Sequence, residues 1–267
     1  MSKLDRHVKS LFLDYDGTIS PADVPIEESA VLPENMAVLN QISRQIPTAI
    51  ITTKDLNFVV ARTPFATAWA GLAGLEVKMR NSATAVSGSK KTTNHVIRAL
   101  EYAKSLSGKS LKIEEKRNTR GMPVAFSVDW RRASKRTDAK EKAMKILSYC
   151  RTLPVFPITY ETQPFFDVFP CPINKGKALL KLKRCLGLRD GILYMGDSII
   201  DNPAFETADI SLGVIHKETP EELTCEYSLN FEDVPSFLNC LMKNHFRFTS
   251  DLPFITKSIK APPVLSN

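Results

Sequence analysis

The segment that most limits what this chain can fold into is Asp14-Tyr15-Asp16-Gly17-Thr18, directly behind the apolar run Leu11-Phe12-Leu13. A short apolar run ending in two carboxylates reads as a buried strand that delivers both to the edge of a sheet. Such a pair can divide labour, one attacking as nucleophile and the other handling the proton, and it can help hold a hard cation such as Mg2+. Gly17 and Thr18 let the chain leave the strand sharply, with backbone N–H groups turned toward an anion. The same D-x-D-G spacing occurs in calcium loops, where carboxylates recur at alternate positions and end in a distant Glu. No third ligand follows here at that offset, and a strand precedes the motif where a calcium loop has a helix.

Strand and helix patterns alternate behind the motif, which predicts an α/β fold. Helices are expected at 33–46, from Asp55 onward, at 175–186 and at 203–207, with strands at 48–52, 191–195 and 209–214. Trp69–Gly74 reads as a short strand with turns. The polar stretch 80–91 reads as a linker, and the pattern changes character beyond it. Helices at 94–106 and 138–151 alternate there with strands at 124–130, 155–160 and Phe165–Phe169, an open α+β unit. The order predicts a domain inserted into another, with the first half at 1–84, the insertion at 85–168 and the second half at 169–267. The tail, with Pro253, Pro262 and Pro263, is expected to be irregular.

Further features sit at predicted strand ends or helix starts. Thr52 and Thr53 close the T-A-I-I strand, where a hydroxyl can donate to a phosphate oxygen or simply cap the next helix. Lys175 opens a helix behind Asn174, and a lysine there opposes the helix dipole. A phosphate held by the ammonium and the helix end together supplies a reason for it. Gly196-Asp197-Ser198-Ile199-Ile200-Asp201-Asn202 brings a second acidic cluster to a strand end. Asp197 suits a Mg2+ ligand, and Asp201 and Asn202 suit neighbouring roles behind it.

In chain order these read D-x-D-G-T, a strand-end Thr, Lys at a helix start, and G-D-x3-D. That order resembles the haloacid dehalogenase-superfamily phosphatases. The resemblance implies a Rossmann-like core with an inserted, mobile cap. It implies that Asp14 is the nucleophile, forming an aspartyl-phosphate, and that Asp16 protonates the leaving alkoxide and later deprotonates water. It places Mg2+ on the Asp14 carboxylate, the Asp16 backbone carbonyl and Asp197. Thr52, with Thr53 beside it, and Lys175 would bind the phosphoryl oxygens, with Asp201 and Asn202 orienting neighbours.

Up to about Phe231 the chain is similar, more finely, to trehalose-6-phosphate phosphatases. The matching segments are L-F-L-D-Y-D-G-T-I-S-P, W-A-G-L-A-G-L-E and F-D-V-F-P-C-P-I-N-K-G-K-A-L. There are departures. Thr52-Thr53-Lys54 replaces S-G-R or T-G-R, and Asp129 replaces a cap His. Residues 118–121 stand where a Glu and a Lys contact sugar, and Asp167 replaces another Glu. The implied chemistry is therefore a phosphoric monoester hydrolase, with the substrate left open. Trehalose 6-phosphate comes first, with sucrose phosphate, mannosyl-3-phosphoglycerate or a non-catalytic sugar-phosphate-binding role as alternatives. Arg120, Arg131 and Arg132 are candidates for a second anionic group, and Asp129 and Asp167 for sugar contact.

The formal net charge of +7 suits an anionic ligand without choosing one. No basic face interleaved with aromatics marks a nucleic-acid module. Five scattered cysteines without C-x-x-C argue against a disulfide framework or zinc site, and no run approaches the roughly 20 apolar residues of a membrane span. The first strand is expected within about ten residues of Met1, which leaves no room for a signal peptide and predicts a cytoplasmic protein. The oligomeric state stays open.

Overall fold

The computed structural model describes residues 6–22, 24–86, 90–108, 110–160, 163–216 and 222–258. After β1 (Arg6–His7) comes β2 (Ser10–Leu13), whose four residues are all buried. A strand with no solvent-facing side belongs in the middle of a sheet covered on both faces. Then follow α1 (Pro33–Ile42), β3 (Thr48–Ile51), α2 (Leu56–Arg62), β4 (Ala68–Gly71), β5 (Glu76–Met79) and β6 (Ala85–Val86). A second unit holds α3 (Lys90–Ser107), β7 (Lys112–Arg117), β8 (Pro123–Asp129), α4 (Arg136–Arg151), β9 (Phe156–Thr159) and β10 (Phe165–Phe169). The chain returns through α5 (Lys175–Cys185), β11 (Ile192–Gly196), α6 (Asn202–Phe205), β12 (Ile210–Ile215) and β13 (Tyr227–Asn230). It continues with α7 (Val234–Lys243), β14 (Arg247–Phe248) and β15 (Thr256–Lys257).

The large sheet runs β15-β13-β12-β11-β2-β3-β4-β5-β6. From β13 to β4 its neighbours are parallel, and antiparallel pairs close both ends. One apolar layer, with Leu11, Leu13, Ile50 and Leu193, packs under α1, α2 and α7. The opposite layer, with Phe12, Ile51 and Tyr194, packs under α5 and α6. This is the predicted Rossmann-like α/β core.

The inserted cap is an antiparallel sheet, β7-β8-β10-β9, backed by α3 and α4. Phe126 and Val128 of β8 join Phe166 and Val168 of β10 in the helix-side cluster. Strand alternation then sends Ala125, Ser127 and Asp167 to the other face. Leu72 of the core packs with Val124, Ala125 and Phe169 of the cap in a small cluster that joins the two bodies.

Several elements differ from expectation. The supposed linker 80–91 contains β6, which pairs with β5 and extends the large sheet; positions 87–89 lie outside the described residues. Strand β7 was not expected, because K-I-E-E-K-R shows almost no apolar alternation. The first predicted helix ends at Ile42, short of Ile46. The chain beyond β12 is more regular than expected, since α7 buries Val234, Phe237, Leu238 and Leu241. Pro262 and Pro263 lie outside the described residues.

Candidate active site

Three adjacent parallel strands, β3, β2 and β11, end on one edge of the core sheet. That edge is where such folds place ligands. Asp14 follows β2, and its backbone N–H donates to the Met195 carbonyl at 2.8 Å. The chain then turns tightly: the Ser20 and Ile19 N–H groups both donate to Tyr15 O, and Gly17 takes a φ of +71°. A Cβ at Gly17 would lie 1.9 Å from Asp197 Oδ2, so glycine is needed for that carboxylate to reach the loop.

Lys175 is the first residue of α5, and the Asn174 carboxamide caps that helix by accepting from the Lys177 N–H at 2.8 Å. The buried Lys175 ammonium sits 2.9 Å from Asp14 Oδ1 and 2.7 Å from Asp201 Oδ1. Asp201 also accepts from the Tyr194 hydroxyl, the Asp197 and Ser198 N–H groups and the Ser198 hydroxyl. It fixes the G-D-S-I-I-D turn rather than offering itself to a ligand. Thr52 is buried at the end of β3, and its hydroxyl oxygen accepts from the Lys54 N–H at 3.2 Å, which leaves the hydroxyl proton to point elsewhere. Thr53 is half-buried in the same turn. Asn202 faces away from this group, bonded to Glu222 O and the Thr224 N–H, so the neighbouring role expected for it is not seen.

Carboxylate oxygens of Asp14, Asp197 and Asp201 lie within 4.8 Å of one another. Burial pushes the Asp14 carboxyl up to about 7, against the pull of Lys175. Burial first, then Asp14 and Asp201, push the Asp197 carboxyl up as well. Burial alone would lower Lys175, but Asp14 and Asp201 outweigh it and hold the ammonium charged. Three carboxylates against one ammonium leave excess negative charge that a hard divalent cation would neutralise, so the donor set fits Mg2+. The Asp16 carboxylate is not in this group. It accepts from the Ser29 hydroxyl at 3.3 Å and lies 3.7 Å from the Lys54 ammonium. Burial raises its pKa, with Lys54 opposing, which would suit the proton-carrying role expected for it.

Opposite this edge the cap presents a second polar group. The Lys116 ammonium donates to Asp167 Oδ1 at 2.6 Å, the Tyr160 hydroxyl donates to Asp167 Oδ2 at 2.9 Å, and the Ser127 hydroxyl donates to Asp167. Arg131 pairs with Asp129 at 2.9 Å and lies over the Phe165 ring. Arg120 is exposed in the β7–β8 turn. In that turn the Thr119 N–H and hydroxyl both donate to the buried Glu76 carboxylate of the core.

No protein-family model matches the chain. It is 24% identical over 246 residues to the probable trehalose-phosphate phosphatase J of Arabidopsis thaliana, which takes in 86% of this chain and 65% of that protein. The chain thus spans just under two thirds of that relative's length. Its structure superposes on the C-terminal domain of C. albicans trehalose-6-phosphate phosphatase with a TM-score of 0.72 at 17% identity, over 89% of this chain and 93% of that one. A haloacid dehalogenase-like hydrolase from Bacteroides thetaiotaomicron superposes with a TM-score of 0.65 at 14% identity, over 87% and 98%. The chain is thus similar in sequence to trehalose-phosphate phosphatases, and its fold is that of the haloacid dehalogenase-like hydrolases.

Within this fold, the core residues singled out from the sequence converge on one edge, except Asn202. The cap is different. Asp129 and Asp167 lie on its inner face, while Arg120 sits on the exposed turn. Glu114 and Lys116, which the sequence reading passed over, stand on that inner face instead; alternation in K-I-E-E-K-R puts both on one side of β7. His216 was also missed. Its Nε2 lies 2.7 Å from the Gly17 carbonyl and 3.8 Å from Asp197 Oδ2, and its ring stacks on Phe231. Nothing in the local sequence marks it, because its partners are 199 and 19 positions away in the chain.

Proposed function

We propose that this protein is a Mg2+-dependent phosphatase that hydrolyses a sugar phosphate monoester, trehalose 6-phosphate first, through an aspartyl-phosphate on Asp14. The observation that carries the reading is Lys175, whose ammonium touches both Asp14 and Asp201 while Asp197 waits beside them. A binding module has no use for a buried nucleophile of this kind next to a separate protonable carboxyl.

Mg2+ would be held by the Asp14 and Asp197 carboxylates and the Asp16 carbonyl, where it would offset the repulsion between Asp14 and an anionic ester. An Asp14 carboxylate oxygen attacks phosphorus, the bond from phosphorus to the sugar oxygen breaks, and the Asp16 carboxyl gives its proton to that oxygen. Water then attacks the phosphoryl group, its proton returns to Asp16, and phosphate leaves with Asp14 restored. Lys175 and the Thr52 hydroxyl stabilise the phosphoryl oxygens throughout, which is most of what such catalysis requires.

The cap's inner face supports a neutral sugar over a substrate with a second anion. Lys116 is paired with Asp167 and Arg131 with Asp129, so both cations already face carboxylates. That disfavours mannosyl-3-phosphoglycerate, and Arg120 on the outer turn does not restore it. The five free cysteines suit a reducing compartment, and the reading includes a cytoplasmic location. No helix among the described residues is long and apolar enough to cross a membrane.

A screen of sugar phosphates with Mg2+, monitored by phosphate release, tests the proposal. Trehalose 6-phosphate should rank above generic esters by kcat/KM. If it does not, the substrate is wrong; if no ester turns over while sugar phosphates still bind, the protein is a sensor.

A further inference from the structure

Lys54 stands where core and cap meet, and it has no part in the chemistry above. We propose that Lys54 is a positioning residue that couples seating of the cap to placement of the general acid Asp16. The inference rests on the phosphatase reading of the same site.

Its backbone is fixed first. The Lys54 carbonyl accepts from the Leu72 N–H at 2.8 Å, its N–H donates to the Thr52 hydroxyl, and the Thr52 carbonyl accepts from the Ala73 N–H at 2.7 Å. Leu72 and Ala73 hold φ values of 52° and 51°, a left-handed conformation costly for residues with a side chain. That conformation turns both N–H groups toward the turn carrying Thr52 and Lys54, and the two hydrogen bonds help hold it. The side chain then crosses the face of Phe58, with the ammonium 5.6 Å from the ring centre, and Phe58 meets Tyr15 of the D-Y-D-G-T loop edge-on.

The ammonium ends 3.7 Å from Asp16 Oδ2 and 3.4 Å from Glu114 Oε1. Glu114 lies 60 positions further along, on β7, in a different sheet. It shares a cross-strand row with Ser127 and Asp167, the row that faces the core edge. One partner therefore belongs to the core and the other to the cap. With the cap seated, two carboxylates clamp the flexible lysine stem; with the cap withdrawn, one remains, and a single exposed ion pair holds such a stem weakly. Lys54 transfers no proton itself. It fixes the carboxyl whose proton goes to the leaving oxygen as the phosphorus–oxygen bond breaks.

The consequence is a dependence on the leaving group. A sugar alkoxide needs that proton, whereas p-nitrophenolate departs without it. Single-turnover rates with enzyme in excess isolate this first step, measured for trehalose 6-phosphate (or the best sugar phosphate of the screen) and for p-nitrophenyl phosphate. Lys54→Met should slow the sugar ester by about 100-fold and the aryl ester by less than about threefold, the span expected when general-acid assistance is lost. Glu114→Gln should shift the ratio of the two rates in the same direction by about tenfold, and Lys54→Arg should restore most of it. Equal losses on both esters for Lys54→Met, or a wild-type ratio in Glu114→Gln, would overturn the coupling. A wild type that turns over neither ester would instead sink the phosphatase reading beneath it. If Lys54→Met does not fold, the Glu114→Gln ratio decides alone.

Discussion

Asp14 in the core and Asp167 in the cap are both buried carboxylates beside a lysine ammonium, yet they are shifted in opposite directions. Burial raises both. At Asp14 it prevails, because Lys175 is shared with Asp201 while Asp197 stands close by, and the carboxyl is pushed up to about 7. At Asp167 it is outweighed by Lys116, Ser127 and Tyr160, and the carboxyl is held below its usual range. The difference is not burial but the number of donors per carboxylate. The core edge carries excess carboxylate charge that a cation would offset, which is what the proposed phosphoryl transfer requires. The cap face pairs its charges internally, which fits the proposed neutral sugar substrate.

The largest effect expected from this contrast is on catalysis. Asp14→Asn should cut phosphate release from p-nitrophenyl phosphate with Mg2+ by on the order of 10^4-fold, without lowering the melting temperature. Activity within tenfold of wild type would remove Asp14 from the role of nucleophile.

The next largest concerns the cap. Lys116→Met strands a buried carboxylate and should cost ~3–5 kcal/mol in urea unfolding, and adding Asp167→Leu should recover most of it. A loss below ~1 kcal/mol for the single change would mean that the cap face is wetter than the geometry indicates. The core should respond to metal instead. Mg2+ at 100 times its Kd should stabilise the protein by ~2.7 kcal/mol, and Asp197→Asn should abolish that gain in a thermal melt. If the variant keeps the wild-type shift, Asp197 is not a ligand.

The same contrast explains what could be read from the sequence. The core edge was legible because its strands are apolar on both faces and end in Asp14, Thr52 and Asp197, so strand ends and chemistry coincide. Gly17 and Asn174 carried local rules that the fold obeys. The cap face was not legible, because β7 has charged residues on its inner side and only Ile113 packed against the helix-side cluster. Without an apolar period no strand appears, and without the strand Glu114 and Lys116 cannot be placed. Lys54 and His216 gain meaning only from partners far along the chain. The α7 pattern, with Val234, Phe237, Leu238 and Leu241 on one side, is an ordinary helical period that the sequence carries openly.

The smallest effect, and the one that most directly separates the two aspartates, is on the acid limb of stability. Asp167 is held below the ordinary value of 3.8, so the unfolded chain takes up a proton there before the folded one does. Its contribution is fully present above that value and is lost as pH falls through the lower folded pKa. Wild-type stability should therefore drop as pH falls from about 5 toward 2, and Asp167→Asn, although less stable at neutral pH, should show a shallower drop over that window. Asp14, shifted upward, cannot contribute to that drop, because in the same range the folded protein binds its proton more readily than the unfolded chain. Urea midpoints collected across the window in Mg2+-free buffer give the two slopes. Parallel slopes in wild type and Asp167→Asn would mean that the Lys116 pair does not depress Asp167, and the cap would then share the unbalanced electrostatics of the core.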